Sequence, residues 1–344
     1  MKELNPFKIF LSIIDPEYQA NIGPIELSPN KNNLINSIMK LAKDNGLYYY
    51  FIQKITQLGI EIPSSEEDWN IQNKKLVSFK KTLKLLADIS ASYGIDYILI
   101  KRYSKVPHIP RDIDIFIHRQ QREKIIKLLE DRKMQCVQSG VTETSLKSND
   151  YIGIDIYTEI TYISFNFIDN SYLWNSKTKV KIFGDKYWGL SKEADFLLTL
   201  VHNLIGHRRL TLLDFLHLKI LKRQIDLEAC KTYAYNKGWL PLFNLTLNKL
   251  NLLEKEIYEN GATVDFPYLF DRKFILKCIS SIDELNLSQL KRLFLHISLI
   301  QDAIIHKIKG TLLYEFLCSS DFIKHLTNSL TASVKKMRGD RKAA

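Results

Sequence analysis

The stretch "IPRDIDIFIH", Ile109 to His118, constrains this chain more than any other. It sets two aspartates, among the poorest strand formers, inside a run of β-branched and aromatic residues. Side chains two apart on a strand point the same way. Asp112 and Asp114 therefore share one face, while Ile113, Ile115 and Ile117 pack on the other. Two ionised carboxylates held this close repel, and the arrangement is costly unless a cation sits between them. Hard oxygen ligands of this kind suit Mg²⁺ or Mn²⁺. "GIDIYTEI" repeats the pattern, with Asp155 bracketed by Ile154 and Ile156. If that strand lies beside the first, the three acids form a cluster able to hold two metal ions. The competing reading is that they decorate the wet face of a half-buried sheet.

The flanking segments have a different texture. From about Pro29 to Ser92, apolar residues recur at three- and four-residue steps, which predicts helices broken near Gly46, Gly59 and "EIPSSEEDW" and ending near Gly94. Strand signals begin at "IDYILIKRY" and continue through "DIDIFIH" and "YIGIDIYTEITYISFNF", with a helix over "QQREKIIKLLEDRKM" between the second and third. "KVKIFGDKYWGL" predicts a hairpin turning at Gly184–Asp185. After Ser191, a good N-cap with Glu193 in the first turn, the pattern is helical almost to the basic tail "KKMRGDRKAA" and no strand signal interrupts it. The predicted fold is α+β: a helical region over 1–93, a small mixed-sheet core over 94–190, a helical domain over 191–335 and a tail over 336–344.

A formal charge of +11 suggests an anionic partner, or else a solvated lysine-rich surface. No apolar stretch approaches the roughly 18 residues of a membrane span, so no membrane partner is expected. Four well-separated cysteines (Cys136, Cys230, Cys278, Cys318) lack zinc spacing and point to reduced thiols and a cytoplasmic home.

The order strand "YILIK", strand "RDIDIFI", helix, then "GIDIY" resembles the nucleotidyltransferase superfamily with the DNA polymerase beta-like fold. More narrowly, it is similar to uncharacterised members with helices before the core and a His-containing helical region after it. The resemblance covers roughly Asn33 to Leu221 and implies transfer of a nucleoside monophosphate from an NTP to a hydroxyl acceptor, a small molecule, protein or RNA. It assigns Asp112, Asp114 and Asp155 to Mg²⁺ or Mn²⁺ and to catalysis. Lys101, Arg102 and Arg111 fall to the phosphates. His202, His207, Arg208 and Asp214 match downstream positions and become candidate substrate contacts. One departure stands out: "IKRYSKVPHIP" has no glycine where members carry a small pair after the first strand. A cation-rich loop there would hold phosphate by charge, or the pocket binds nucleotide without turnover. A D-x-D glycosyltransferase using a nucleotide-sugar is the third reading, but it calls for a Rossmann-like half where this chain is helical.

The other candidates carry ordinary structural readings as well. Lys101 could be a strand-end lysine reaching solvent, and Arg111 could simply neutralise Asp112. His202 neighbours the apolar stripe Leu198, Val201 and Ile205, which suits a satisfied, partly buried histidine. Asp214 could cap its helix, pair with Arg208 or Arg209, or meet substrate, with pairing the default.

Overall fold

The computed structural model describes residues 5–15, 18, 31–59, 65–101, 106–160, 167–203, 209–260, 262–264, 266 and 268–269. Arg102, His207, Arg208, Cys278, Cys318 and the predicted basic tail lie outside the described residues.

Among the described residues, four helices precede the sheet: α1 (Pro6–Ile14), α2 (Lys31–Asp44), α3 (Tyr48–Gln57) and α4 (Ser65–Tyr93). Helix α4 carries Phe79, Leu83, Leu86 and Ile89 at helical spacing, and this stripe is buried. It packs with Ile113, Ile115, Ile117, Ile154, Ile156 and Leu146 in one continuous core. Each such side chain, fully buried, contributes about 1.5–3 kcal/mol. Helix and sheet are also pinned by a hydrogen bond: the Ile152 backbone N–H donates to the buried Thr82 hydroxyl at 3.0 Å. That bond sets the point at which the chain enters the strand bearing Asp155.

The sheet has five strands, β1 (Tyr97–Leu99), β2 (Asp112–Ile117), β3 (Gln135–Ser139), β4 (Glu143–Lys147) and β5 (Gly153–Tyr157). Their spatial order is β1-β2-β5-β4-β3. β2 and β5 run parallel, and the remaining pairings are antiparallel. The α+β class and the central mixed sheet agree with expectation, but β3 and β4 do not appear in the sequence reading. β3 is exposed at all five positions, so it shows no apolar alternation. β4 buries only Thr144 and Leu146. The expected helix α5 (Arg122–Glu130) follows β2, after a short 3-10 turn at Arg119–Gln121. Arg122, its first residue, donates to the Thr144 hydroxyl, the Ser139 hydroxyl and the Gly140 carbonyl, which ties the β3–β4 hairpin down.

A short helix, α6 (Asn170–Asn175), leads to a separate hairpin of β6 (Lys177–Ile182) and β7 (Asp185–Leu190). Its turn falls one residue earlier than the sequence suggests, at Phe183–Gly184. Both residues have positive φ, 47° and 101°, as two-residue hairpin loops require, and Asp185 already pairs with Ile182.

Ser191 caps α7 (Lys192–Val201), its hydroxyl accepting from the Ala194 N–H, as its sequence predicts. Helices α8 (Leu212–Lys222), α9 (Leu227–Asn236) and α10 (Leu240–Tyr258) follow. A two-residue ladder between β8 (Arg209–Leu210) and β9 (Tyr268–Leu269) interrupts what reads as purely helical sequence. Strands this short carry too few residues for any period to register. These helices pack directly on the N-terminal ones. Asn45 accepts from the Leu212 N–H at 3.1 Å, and Lys219 on α8 pairs with Asp15 after α1 at 2.7 Å, both groups buried.

Candidate active site

The parallel pairing of β2 with β5 decides where the acids fall. In that register Asp114 lies opposite Asp155 and Asp112 opposite Gly153. Along both strands the isoleucines are fully buried against α4 and α5, and the aspartates are half-buried on the other face. The register thus places the three carboxylates on one sheet face.

Neighbouring strands complete that face with residues the sequence reading passed over. β4 contributes Glu143, Ser145 and Lys147 by alternation, with Ser145 opposite Asp155 and Glu143 opposite Tyr157. Ser145 hydrogen-bonds the Asp155 carboxylate. The period-2 pattern of "ETSLK" would have exposed this, had it been long enough to identify as a strand. Tyr157, two residues after Asp155, is the other omission.

Lys101 follows the end of β1 and is 8% exposed, so the reading of it as a strand-end lysine in solvent is corrected. Its backbone sits at φ 66°, a left-handed conformation uncommon for a residue with a Cβ. The ladder continues to it, since the Ile100 N–H donates to the Asp114 carbonyl at 3.0 Å. Its ammonium donates to Asp114 Oδ1 at 2.5 Å and to the Tyr157 hydroxyl at 3.2 Å, and lies 4.6 Å from the Tyr157 ring centroid. The Tyr157 hydroxyl in turn donates to Glu143 at 3.1 Å. Burial, with the surrounding carboxylates, raises the phenol's pKa, so it stays protonated and keeps that role.

The aspartates have unequal surroundings. Burial raises the pKa of Asp112, the nearby Asp155 raises it further, and Lys147, Arg111 and Lys101 oppose the shift. Burial likewise raises Asp155; the Ser145 hydrogen bond offsets part of this and Asp114 adds to it. Arg111 is exposed and near enough to Asp112 to favour its charged form, and Lys147 acts the same way on two acids.

One glycine makes this packing possible. A Cβ on Gly153 would overlap the Asp112 carboxylate oxygen, so the missing side chain is the space in which that carboxylate lies. Gly153→Ala is expected to push Asp112 off its position. Any activity that depends on the acids should then fall at least about ten-fold, with little change in melting temperature. A crystal structure of the variant would locate the displaced carboxylate.

Does this site suit a metal? The donors are all oxygen, and burial, with a neighbouring carboxylate adding to it, raises the pKa of two of the three acids, so the bare fold disfavours their charge. That chemistry fits a hard divalent cation. Among the described residues, no group of three or more His, Cys, Asp or Glu side chains is arranged to hold a metal ion, and Lys101 supplies the positive charge at Asp114.

The pKa directions make a second prediction. Asp112 and Asp155 titrate higher in the folded protein than in the unfolded chain, so the folded state binds more protons between the two values. Their contribution to stability is fully present below the unfolded pKa, about 3.9, and is lost as pH rises through the folded one. Relative to an Asp112→Asn/Asp155→Asn variant, the wild type should lose melting temperature over that interval. At neutral pH, Mg²⁺ or Mn²⁺ should recover stability in the wild type and not in the variant. Thermal melts over a pH series check both points, and a pH-independent difference would count against the assignment.

Of the downstream candidates, His202 and Asp214 lie on the helices that follow the hairpin. His202 is buried at the C-terminal end of α7. Asp214 is 2% exposed and forms a capping box at the start of α8: its carboxylate accepts from the Thr211 N–H at 3.0 Å, and the Thr211 hydroxyl accepts from the Asp214 N–H at 3.1 Å. Of the roles its sequence allows, the cap is the one this geometry shows.

No protein-family model and no curated protein matches the chain. Two solved structures overlap it. The lincosamide antibiotic adenylyltransferase LnuA, in its lincomycin-bound crystal structure, aligns with 24% identity and a TM-score of 0.32, over 42% of this chain and 96% of its own. The solution structure of the antibiotic-resistance factor ANT(2'')-Ia aligns with 11% identity and a TM-score of 0.36, over 52% of this chain and 98% of its own. Overlaps this loose leave the functional reading to the site's own geometry.

Proposed function

We propose that this protein is a metal-dependent nucleotidyltransferase that moves a nucleoside monophosphate from an NTP to a hydroxyl acceptor. The observation that carries the reading is the β2–β5 register, with Asp114 opposite Asp155 and Asp112 over Gly153 on one face. Asp112, Asp114 and Asp155 would hold Mg²⁺ or Mn²⁺, which when bound would draw charge from the phosphate oxygens and acidify the acceptor hydroxyl. Asp155, whose pKa is raised, suits the general base: its carboxylate would accept the hydroxyl proton as the acceptor oxygen attacks the α-phosphorus and pyrophosphate leaves. Lys101, held by Asp114 and Tyr157, and the exposed Arg111 would offset phosphate charge. In this reading Tyr157 fixes the Lys101 ammonium, supporting by charge what a glycine loop supports through backbone amides.

The test is incubation with α-labelled NTPs, a divalent cation and hydroxyl acceptors including RNA. Transfer of label that disappears in Asp112→Ala/Asp114→Ala supports the mechanism. Transfer that survives it overturns the mechanism, and metal-dependent nucleotide binding without turnover would replace it with a binding role.

A further inference from the structure

The hairpin β6–β7 presents a second chemistry that the carboxylate site does not use. Its inner face, with Val180, Ile182 and Tyr187, packs into the core. Alternation then turns Lys177, Lys179, Lys181, Lys186 and Trp188 to the outer face, where Lys179 lies opposite Trp188 and Lys181 directly opposite Lys186. Lys179, Lys181 and Lys186 are exposed. Like charges facing each other across a ladder destabilise it, so the fold alone gives no reason for this arrangement. Asp96 pairs with Lys177, while among the described residues no acid forms an ion pair with the other three lysines.

Aromatic rings are interleaved with these charges. The Lys179 ammonium is 3.6 Å from the Trp188 ring centroid, and that of Lys177 is 4.5 Å from Trp188 and 5.6 Å from Trp174. Trp174, also half-buried, stacks on His118 at 3.8 Å with the planes 8° apart. The surface is thus a strip of cations alternating with half-exposed indoles.

From this we infer that the outer face of β6–β7 binds single-stranded nucleic acid, with lysines on the phosphates and a base stacked on Trp188. Unpaired bases suit a stacking platform, and an electropositive groove tracks the backbone. The net charge of +11 favours a polyanion in the same direction. An anionic lipid surface fits less well, because membrane-surface elements insert an apolar face and this hairpin's apolar face is already in the core.

Fluorescence anisotropy with labelled 15-nucleotide RNA and DNA single strands, without nucleotide or metal, tests this independently of any transfer activity. Duplex DNA and anionic vesicles are run as competitors. Lys179→Gln/Lys181→Gln/Lys186→Gln should lower the salt slope of binding by about 2. Trp188→Leu should weaken binding roughly ten-fold, and Trp188→Tyr, which keeps a stacking ring, should restore most of it. Lys74→Gln/Lys75→Gln/Lys84→Gln, with the same charge change on exposed positions of α4, should bind nearly as wild type. The inference fails if no single strand binds at 50 mM salt, if the α4 variant loses as much as the hairpin variant, or if duplex competes as well as single strands. It also fails if vesicles displace the oligonucleotide and Trp188→Leu leaves affinity unchanged.

Discussion

Replacing Asp114 with asparagine should reduce the proposed nucleotidyl transfer by about a hundred- to a thousand-fold while leaving the chain folded. Asp114 is the most connected of the three acids: it faces Asp155 across the parallel pair, lies two residues from Asp112 and receives the Lys101 ammonium. Asparagine keeps its shape and removes its charge. The change therefore deletes a metal-ligating oxygen and leaves a buried ammonium facing a neutral amide, and losing one such preorganised charge costs about 10²–10³ in rate. The stability change adds a second check. Asp114→Asn should lower the melting temperature, because Lys101 is buried and loses its carboxylate. Asp155→Asn should raise it in the absence of metal, because Asp155 is an acid whose charge the fold disfavours. Both variants should be inactive. Transfer assays run beside thermal melts give the pair of readings, and an active Asp114→Asn protein would remove the basis for the proposed chemistry.

The largest effect on stability is expected far from that site, at Lys219. This lysine is 4% exposed, pairs with the 6%-exposed Asp15 at 2.7 Å and lies 3.8 Å from the Tyr258 ring centroid. The Tyr258 hydroxyl also donates to Asp15. Lys219→Ala removes the buried cation facing Asp15 and opens space between α1, α8 and α10. Breaking a buried pair from one side costs about 3–5 kcal/mol, roughly 10 °C in melting temperature for a chain of this size. Adding Asp15→Asn to Lys219→Ala should recover part of the loss, since neither charge is then buried. Denaturant titration of the singles and the double measures that coupling, and strictly additive losses would mean the two groups act separately.

Much of the site was legible because strands have a period of two. The alternation in "DIDIFI" and "GIDIY" separates acids from isoleucines with no knowledge of neighbours, and both strands form as read. Register is another matter. That Asp114 meets Asp155, and that Gly153 clears space for Asp112, depends on pairing between strands that a helix and a hairpin separate along the chain. β3 and β4 escaped notice because one strand lies wholly in solvent and the other buries two residues. Lys101 illustrates a third limit. Its sequence context reads as a strand end, and only the left-handed turn at its Cα brings the ammonium back over Asp114.

The strand order has a consequence for when the acidic face is assembled. β5 is the last of the five to leave the ribosome, yet it occupies the middle of the sheet, between β2 and β4. The β1–β2 and β3–β4 pairs can each close locally, but neither holds more than two of the acids. Only when β5 wedges between them does Asp155 arrive beside Asp114. Assembly of the acidic face is thus a nonlocal and late event in folding. A nascent chain lacking β5 carries no assembled acidic face, so the proposed chemistry would have to await completion of the sheet.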